Sequence, residues 1–158
     1  MEAAQAIESR PLEAEALFAR AEVARARRLF DEALRDHASA GEIARSIADP
    51  ELGWRIAYGQ GQALEAMARN DDAVASYRRA VDLIEDVRSQ LREERFRASY
   101  LEDKYQVYVS LVQLLLKLGR TKEAFGYVER LRARLHQQPD QQGRTQLDRQ
   151  LPPGLSHR

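Results

Sequence analysis

Residues 54–80 read WRIAYGQGQALEAMARNDDAVASYRRA, and residues 105–131 read YQVYVSLVQLLLKLGRTKEAFGYVERL. The two stretches align at a constant offset of 51 residues. Each has an apolar helical pattern, a short break at Ala68 or Gly119, and then a second helical pattern. A helical hairpin of this size cannot bury its apolar faces alone, so its repetition predicts stacked hairpins that present a surface for binding.

Local signals place the ends of these helices. Asp49 followed by Pro50 is typical of a helix start, because aspartate caps free backbone N–H groups and proline suits the first turn. Asn70 and Thr121 are predicted to be N-caps of the second helix in each hairpin. Gly119 is predicted to be the left-handed residue that ends a helix.

The region between the two stretches predicts one long helix. After Leu91 a polar interruption is followed by apolar residues at helical spacing. These residues are Phe96, Tyr100, Tyr105, Tyr108, Val112 and Leu115. The pattern predicts that a single helix continues to Gly119.

The N-terminal region repeats only part of the residue pattern that the two aligned stretches share. Ala26, Phe30 and Ala33 have the same spacing as Ala73, Tyr77 and Ala80. Each lies 47 residues before its counterpart. Residues 21–24 lack a glycine or a capping side chain, which predicts that one helix continues from Pro11 without a turn. We therefore predict three units, about 7–48, 50–91 and 93–136, with the first degenerate. Gln, Pro and Gly dominate residues 137–158, so a disordered C-terminal tail is predicted.

Composition excludes several classes of function. Acidic and basic residues number 25 each, so no net charge favours nucleic acid or an anionic membrane. The chain has no cysteine, which excludes disulfides and thiolate chemistry and agrees with a cytoplasmic location. No apolar run approaches the roughly 18 residues of a membrane span. The glutamates near the N-terminus are unlike a secretory signal.

The polar residues show no pattern of an active site. His37, His136 and His157 have no second histidine at helical spacing, so no metal site is predicted. Adjacent carboxylates such as Glu93 and Glu94 point to different helix faces. No glycine-rich phosphate loop is present. The sequence therefore predicts neither catalytic activity nor a cofactor.

The hairpins resemble the tetratricopeptide repeat (TPR), in which small residues lie where two helices cross. The resemblance assigns ten residues to packing within and between repeats: Trp54, Gly61, Leu64, Ala73, Tyr77, Ala80, Leu115, Gly119, Ala124 and Val128. It implies an all-α solenoid of stacked hairpins.

The segment from Phe96 to Arg134 is similar to a more particular group of repeats. It resembles the repeats that precede the caspase-like peptidase domain of bacterial CHAT-domain proteins, which carry a Tyr-Leu-Glu-Asp-Lys run, here residues 100–104. This likeness covers about 49–134. It implies that the repeats dock partners or regulators of a peptidase domain, although this chain has no cysteine with which to cut.

Stacking as in the TPR family would place one face of each first helix in a concave groove. The repeat pattern assigns seven residues to this face: Arg55, Tyr58, Gln62, Glu65, Gln106, Val109 and Gln113. Such a mixed face could hold a peptide through charge and hydrogen bonds, or it could simply be solvated. The aromatic residues near it could equally fill the core.

Together these patterns predict a non-catalytic scaffold that binds a protein or peptide partner. The alternative is the regulatory or substrate-docking part of a CHAT peptidase whose catalytic domain is missing or separately encoded. A third hypothesis is self-association, because a short array leaves apolar faces uncovered at its ends. The partner's identity and the pathway do not follow from the sequence.

Overall fold

The computed structural model describes residues 2–136; the predicted disordered tail lies outside them. Within this range the chain forms seven helices and no strand: α1 (Glu2–Ala26), α2 (Phe30–Ser46), α3 (Pro50–Ala66), α4 (Asn70–Gln90), α5 (Glu94–Glu102), α6 (Tyr105–Lys117) and α7 (Thr121–His136). α1 packs on α2, α3 on α4, and α6 on α7, while α2–α3 and α4–α6 contacts stack the hairpins. The prediction of an all-α fold of stacked helical hairpins is confirmed.

One turn geometry recurs four times in the described part of the chain. It has a residue with positive φ at Arg28, Ala48, Ala68 and Gly119, at +63°, +53°, +58° and +74°. At the third turn the Arg69 N–H donates to the Leu64 carbonyl and the Ala68 N–H to the Glu65 carbonyl, both at 2.9 Å. This is the Schellman pattern, and Arg69 is already the N-cap of the next helix. The short turn keeps successive helices antiparallel and adjacent.

We predict that Ala68→Gly stabilises the protein by about 0.5–1 kcal/mol, because a side chain at positive φ is strained and glycine is not. Ala68 is exposed, so the change removes no core contact. Gly119→Ala is the reciprocal control, since no atom lies near its added Cβ and only the backbone strain changes. Urea unfolding followed by circular dichroism should show shifts of opposite sign for the two variants. Equal signs would contradict the prediction.

The N-terminal hairpin corrects two predictions. α1 runs from Glu2 through Pro11 to Ala26, and the turn predicted to be missing at 21–24 lies just after it, at Arg28. The buried residues of α2 that correspond to those of α4 lie 40 residues earlier, not 47: Ala33, His37 and Ala40. The turn left no sequence signal because an arginine takes the left-handed conformation and Leu29 makes no side-chain cap.

The predicted N-caps are partly correct. The Asp49 carboxylate accepts a hydrogen bond from the Leu52 N–H at 3.0 Å, and Pro50 begins α3, as predicted. The prediction for Asn70 was wrong, because Arg69 takes the N-cap position and its side chain makes no cap. Thr121 is likewise already the first residue of α7. Both helices begin one residue earlier than predicted, because the carbonyl groups of Arg69 and Arg120 already accept the first helical hydrogen bonds, from the Ala73 and Ala124 N–H groups.

The predicted long helix before Gly119 is two helices. α5 ends at Glu102 and α6 begins at Tyr105, with Lys104 between them as the N-cap residue. Lys104 is only 6% exposed, and its Nζ lies 3.9 Å from the centre of the Tyr100 ring. The contact of this buried cation with aromatic rings stabilises the bend between α5 and α6, which helical spacing alone does not reveal.

The core lies between the helices of the second and third hairpins. Tyr77 and Tyr108 are among the largest fully buried side chains, and Leu111, Leu114 and Leu115 pack with them. Seven of the ten residues assigned to packing are buried: Gly61, Leu64, Ala73, Tyr77, Ala80, Leu115 and Ala124. Trp54 and Val128 are half-buried, and exposed Gly119 contributes to a turn rather than to packing.

Candidate functional site

A cleft of about 310 Å³ opens where α1, α3 and α6 lie side by side. Eleven residues line it: Phe18, Glu22, Arg25, Trp54, Arg55, Tyr58, Gly59, Gln62, Asp103, Gln106 and Val107. The first helix of every hairpin thus supplies part of one surface. Side chains three or four residues apart on such a helix lie on the same face.

The structure brings four of the seven predicted groove residues into this cleft: Arg55, Tyr58, Gln62 and Gln106. The other three do not line it. Glu65 instead accepts a hydrogen bond from the Tyr77 hydroxyl at 3.0 Å. Val109 is half-buried and Gln113 exposed, both farther along α6. The groove prediction therefore covered a longer face than the cleft occupies.

Arg55 is held between two side chains of α1. Its guanidinium lies 3.2 Å from the Glu15 carboxylate and 4.5 Å from the centre of the Phe18 ring. Both ionic partners are well exposed, so this pair is worth less than about 1 kcal/mol. Arg55 is consequently oriented by its neighbours yet remains able to exchange Glu15 for a carboxylate of a ligand.

Tyr58 connects the second hairpin to the third. Its hydroxyl lies 3.0 Å from the Ser110 hydroxyl on α6, and its ring centre lies 5.7 Å from that of Tyr77. Tyr58 is half-buried, so one part of the ring packs while another faces the cleft. Its dual position fixes the distance between α3 and α6 and hence the width of the cleft.

A buried histidine underlies the α1 side of the cleft. His37 is fully buried, and its Nε2 lies 3.2 Å from the Glu22 carboxylate, without hydrogen-bond alignment. Glu22 also pairs with Arg25 at 2.7 Å. A Cβ on Gly59 would come within 2.6 Å of His37 Nε2, so only glycine lets α3 approach this pair. Glu22 and Arg25 were not predicted, because the residues of the first hairpin were aligned with those of the second at an offset of 47 instead of 40.

The pKa of Glu22 falls from 4.5 to about 2, mainly through its contact with His37 and then with Arg25, although burial opposes the shift. A depressed carboxyl pKa adds stability above the unfolded value, and that stability disappears as the pH falls through the folded value. We expect unfolding free energy to drop between about pH 4.5 and pH 2, with about 1–2 kcal/mol of the drop due to Glu22 after solvent screening.

Urea unfolding of the wild type and Glu22→Gln at neutral pH and at about pH 3 tests this prediction. The difference between the two proteins should shrink at the lower pH, because the wild type has then lost much of the carboxylate contribution. Asp36 and Glu123 also have lowered pKa values. Both residues are present in the wild type and in Glu22→Gln, so their contributions cancel in the difference between the two proteins. A constant difference at both pH values would contradict the prediction.

The Tyr-Leu-Glu-Asp-Lys run borders the cleft at its α6 end. Leu101 is fully buried, Lys104 contacts the rings of Trp54 and Tyr100, and Asp103 pairs with the Lys104 ammonium at 2.8 Å. The Tyr100 hydroxyl donates to Glu51 at 2.5 Å. Most of this run therefore joins α5 to α3, and Asp103 is the residue of the run that lines the cleft.

A second and larger cavity, about 670 Å³, lies between α2, α3 and α4. Its lining combines small residues with larger polar and apolar ones, including Ala38, Gly41, Ala44, Ala48, Gly53, Gln60, Arg79, Leu83 and Asp86. This cavity has no counterpart among the sequence-based predictions. We favour the smaller cleft as the site, because aromatic side chains converge there with charged and amide groups, whereas the described lining of the larger cavity has charged and amide groups without an aromatic residue.

Between residues 2 and 136 no group of three or more His, Cys, Asp or Glu side chains could hold a metal ion. In the same range no helix is long and apolar enough to cross a membrane.

Comparison with known proteins supports the fold. The structure is similar to the TPR domain of Arabidopsis FLU, with a TM-score of 0.63 and 17% sequence identity, over 81% of this chain and 98% of that domain. The likeness confirms the prediction of a tetratricopeptide-like fold. No protein-family model matches the sequence, and no curated protein matches it.

Proposed function

We propose that the protein is a non-catalytic interaction scaffold that binds an extended peptide segment of a partner in the cleft between α1, α3 and α6. The observation that carries the proposal is the convergence of Arg55, Gln62 and Gln106 beside an aromatic wall, all on helices of a packed solenoid. Rigid helices hold these groups in place before binding, which lowers the entropy lost on association.

The chemistry of the cleft fits a peptide of mixed character. Gln62 and Gln106 carry both amide donors and acceptors, which suits the backbone of an extended chain. Arg55 can pair with a carboxylate of the peptide, and the Trp54 ring can pack on an apolar side chain. Glu22 and Asp103 add negative charge to the lining, so we expect the bound segment to carry charges of both signs.

A test begins with selection of a binding peptide from a displayed random library, using the full chain. We expect Arg55→Ala combined with Gln106→Ala to weaken binding of that peptide by at least tenfold, the effect of about 1.4 kcal/mol. The melting temperature should change little, because Arg55 makes one exposed ion pair and one contact with the half-buried Phe18 ring, and Gln106 is exposed. Fluorescence anisotropy of the labelled peptide measures the affinity.

A matched control exists in the second cavity. Arg79 donates to the Gln60 side chain at 2.6 Å, and both residues line that cavity. Gln60→Ala combined with Arg79→Ala removes the same two residue types without touching the cleft. Normal binding by this control supports the cleft, whereas loss of binding only in the control would place the peptide in the larger cavity and overturn the assignment.

A narrower version of this function follows from the resemblance to CHAT-associated repeats. We propose that the partner is a regulator, a substrate or the catalytic domain of a caspase-like peptidase, encoded separately from this chain. The resemblance over about 49–134 supports it. The DNA beside the gene provides the test, because a peptidase domain with a histidine and a cysteine is expected there. Its absence would count against this narrower function and leave the scaffold proposal standing.

Two related proposals concern the chain as a whole. We propose a cytoplasmic location, which the absence of cysteine supports. We also propose that the three hairpins act as units of about 7–48, 50–91 and 93–136, with the third carrying α5 as an additional helix. The constant offset of 51 residues between the second and third hairpins supports this division.

A further inference from the structure

The outer face of α1 carries an apolar stripe that the described residues leave uncovered. Its four members, spaced by four, three and four residues, are Leu12, Ala16, Ala19 and Val23. All four are exposed, Leu12 at 73% and Val23 at 50%. This spacing puts them on one side of the helix, so they form a single strip of apolar surface.

The same register positions are buried in the second hairpin. Counting 40 residues forward from the α1 stripe gives Leu52, Ile56, Gly59 and Ala63 on α3. Leu52 and Ile56 pack into a core with Ala40, Ile43 and Ala44 of α2. The space beside Gly59 is filled by His37 and Glu22. In this fold these positions are therefore the face that a first helix packs against the preceding hairpin.

The opposite end of the solenoid presents the matching face. α6 carries an outer stripe with the same spacing, Tyr105, Val109, Val112 and Leu116, and Phe125 lies beside it on α7. Tyr105 and Leu116 are each 50% exposed and Phe125 is 60% exposed.

Three of the five equivalent residues 51 positions earlier contact the third hairpin, whereas Gly61 and Glu65 face Tyr77 of their own hairpin. Tyr58 reaches Ser110, Trp54 contacts Lys104, and Val74 is buried in the core that α4 shares with α6. The α6–α7 end is thus the kind of surface on which a following hairpin stacks.

We propose that copies of this chain stack head to tail, with the α1 stripe of one copy packed on the α6–α7 end of another. The contact continues the stacking already present between hairpins of one chain, so it requires no new geometry. Such a contact joins different surfaces and does not close, so association continues beyond a dimer.

Repeat arrays usually end in hairpins with a polar outer face that stops further stacking. Here each end of the described array offers large apolar side chains instead. The contact involves one hairpin end, which places it in the class of small, transient interfaces. We therefore expect association at micromolar or higher concentration rather than a permanent oligomer.

Sedimentation velocity of the full chain over a range of concentrations provides the first measurement. The average sedimentation coefficient of the wild type should rise with concentration past the value for a dimer. Leu12→Glu combined with Val23→Glu disrupts one surface, and Leu116→Glu combined with Phe125→Glu disrupts the other. Because the changed positions are half exposed or more, both variants should fold, which circular dichroism checks. Each should remain monomeric.

Mixing the two variants distinguishes this geometry from symmetric pairing. Each variant retains one intact surface, and the two intact surfaces are complementary, so the mixture should form dimers that do not grow. Ser39→Glu combined with Ala75→Glu adds the same charges at exposed sites on α2 and α4 and should leave association unchanged. A monomeric wild type, a monomeric mixture, or association that only one of the two variants loses would overturn the proposal.

Discussion

Tyr77→Ala is expected to lower the free energy of unfolding by about 3–5 kcal/mol, the range for removing a large buried aromatic ring. Tyr77 is 2% exposed and lies in the crossing between α3 and α4. A Cβ on Gly61 would lie only 2.5 Å from its ring, so the glycine and the ring have complementary shapes. The crossing cannot collapse around the missing ring, because Ala73 and Ala80 already pack with no exposed surface.

Tyr77→Phe removes the hydroxyl and keeps the ring, so it separates their contributions to the free energy of unfolding. That hydroxyl donates to Glu65, which is partly exposed and can turn to water, so its loss should be limited to about 1 kcal/mol. Urea unfolding followed by circular dichroism gives both values. If Tyr77→Ala were no more damaging than Tyr77→Phe, packing at this crossing would not be what holds the second hairpin together.

Leu101→Ala should have the second-largest effect, about 2–5 kcal/mol, as for other buried leucines. Leu101 is the buried residue of the nine-residue helix α5, and it packs into the main core without exposed surface. A helix this short is unstable alone, so its attachment depends on this side chain. We expect α5 to exchange its amide hydrogens much faster in the variant, even where α3 and α4 remain protected.

Phe96→Ala is the matched control on the same helix, because Phe96 is 48% exposed. Its effect on unfolding should be within about 0.5 kcal/mol, as is usual for surface positions. Equal losses for both variants would mean that α5 is attached by its whole surface. The comparison also bears on the Tyr-Leu-Glu-Asp-Lys run, because a large loss at Leu101 assigns that part of the run to stability rather than to partner recognition.

Part of the cleft could be predicted from the sequence. The helical period put Arg55, Tyr58 and Gln62 on one face of α3, and the 51-residue offset carried that face to Gln106. The period could not show where the cleft stops, so Glu65 and Gln113 were assigned to it although they lie elsewhere. The depth and length of a cleft depend on the angles and distances between neighbouring helices, which the periodicity of one helix does not determine.

The other half of the cleft could not be predicted, because it depends on the hairpin whose frame was misplaced. Phe18, Glu22 and Arg25 line the cleft from α1. Their position follows from a turn at Arg28, which has neither glycine nor a capping side chain. The strain of a left-handed arginine, about 1–2 kcal/mol, is small beside the apolar surface that the hairpin buries, so packing overrides local preference.

The sequence by itself determined that the chain is all-helical, that its second and third hairpins share one frame, and that small residues such as Gly61 and Ala73 lie where helices cross. These properties follow from the helical period and from side-chain size, which any short segment already contains. Only the tertiary structure decided where the first hairpin turns and where the chain bends at Lys104. Both outcomes depend on burial against helices distant in sequence, because the energy of that contact exceeds the local cost of an unfavourable backbone or a buried charge.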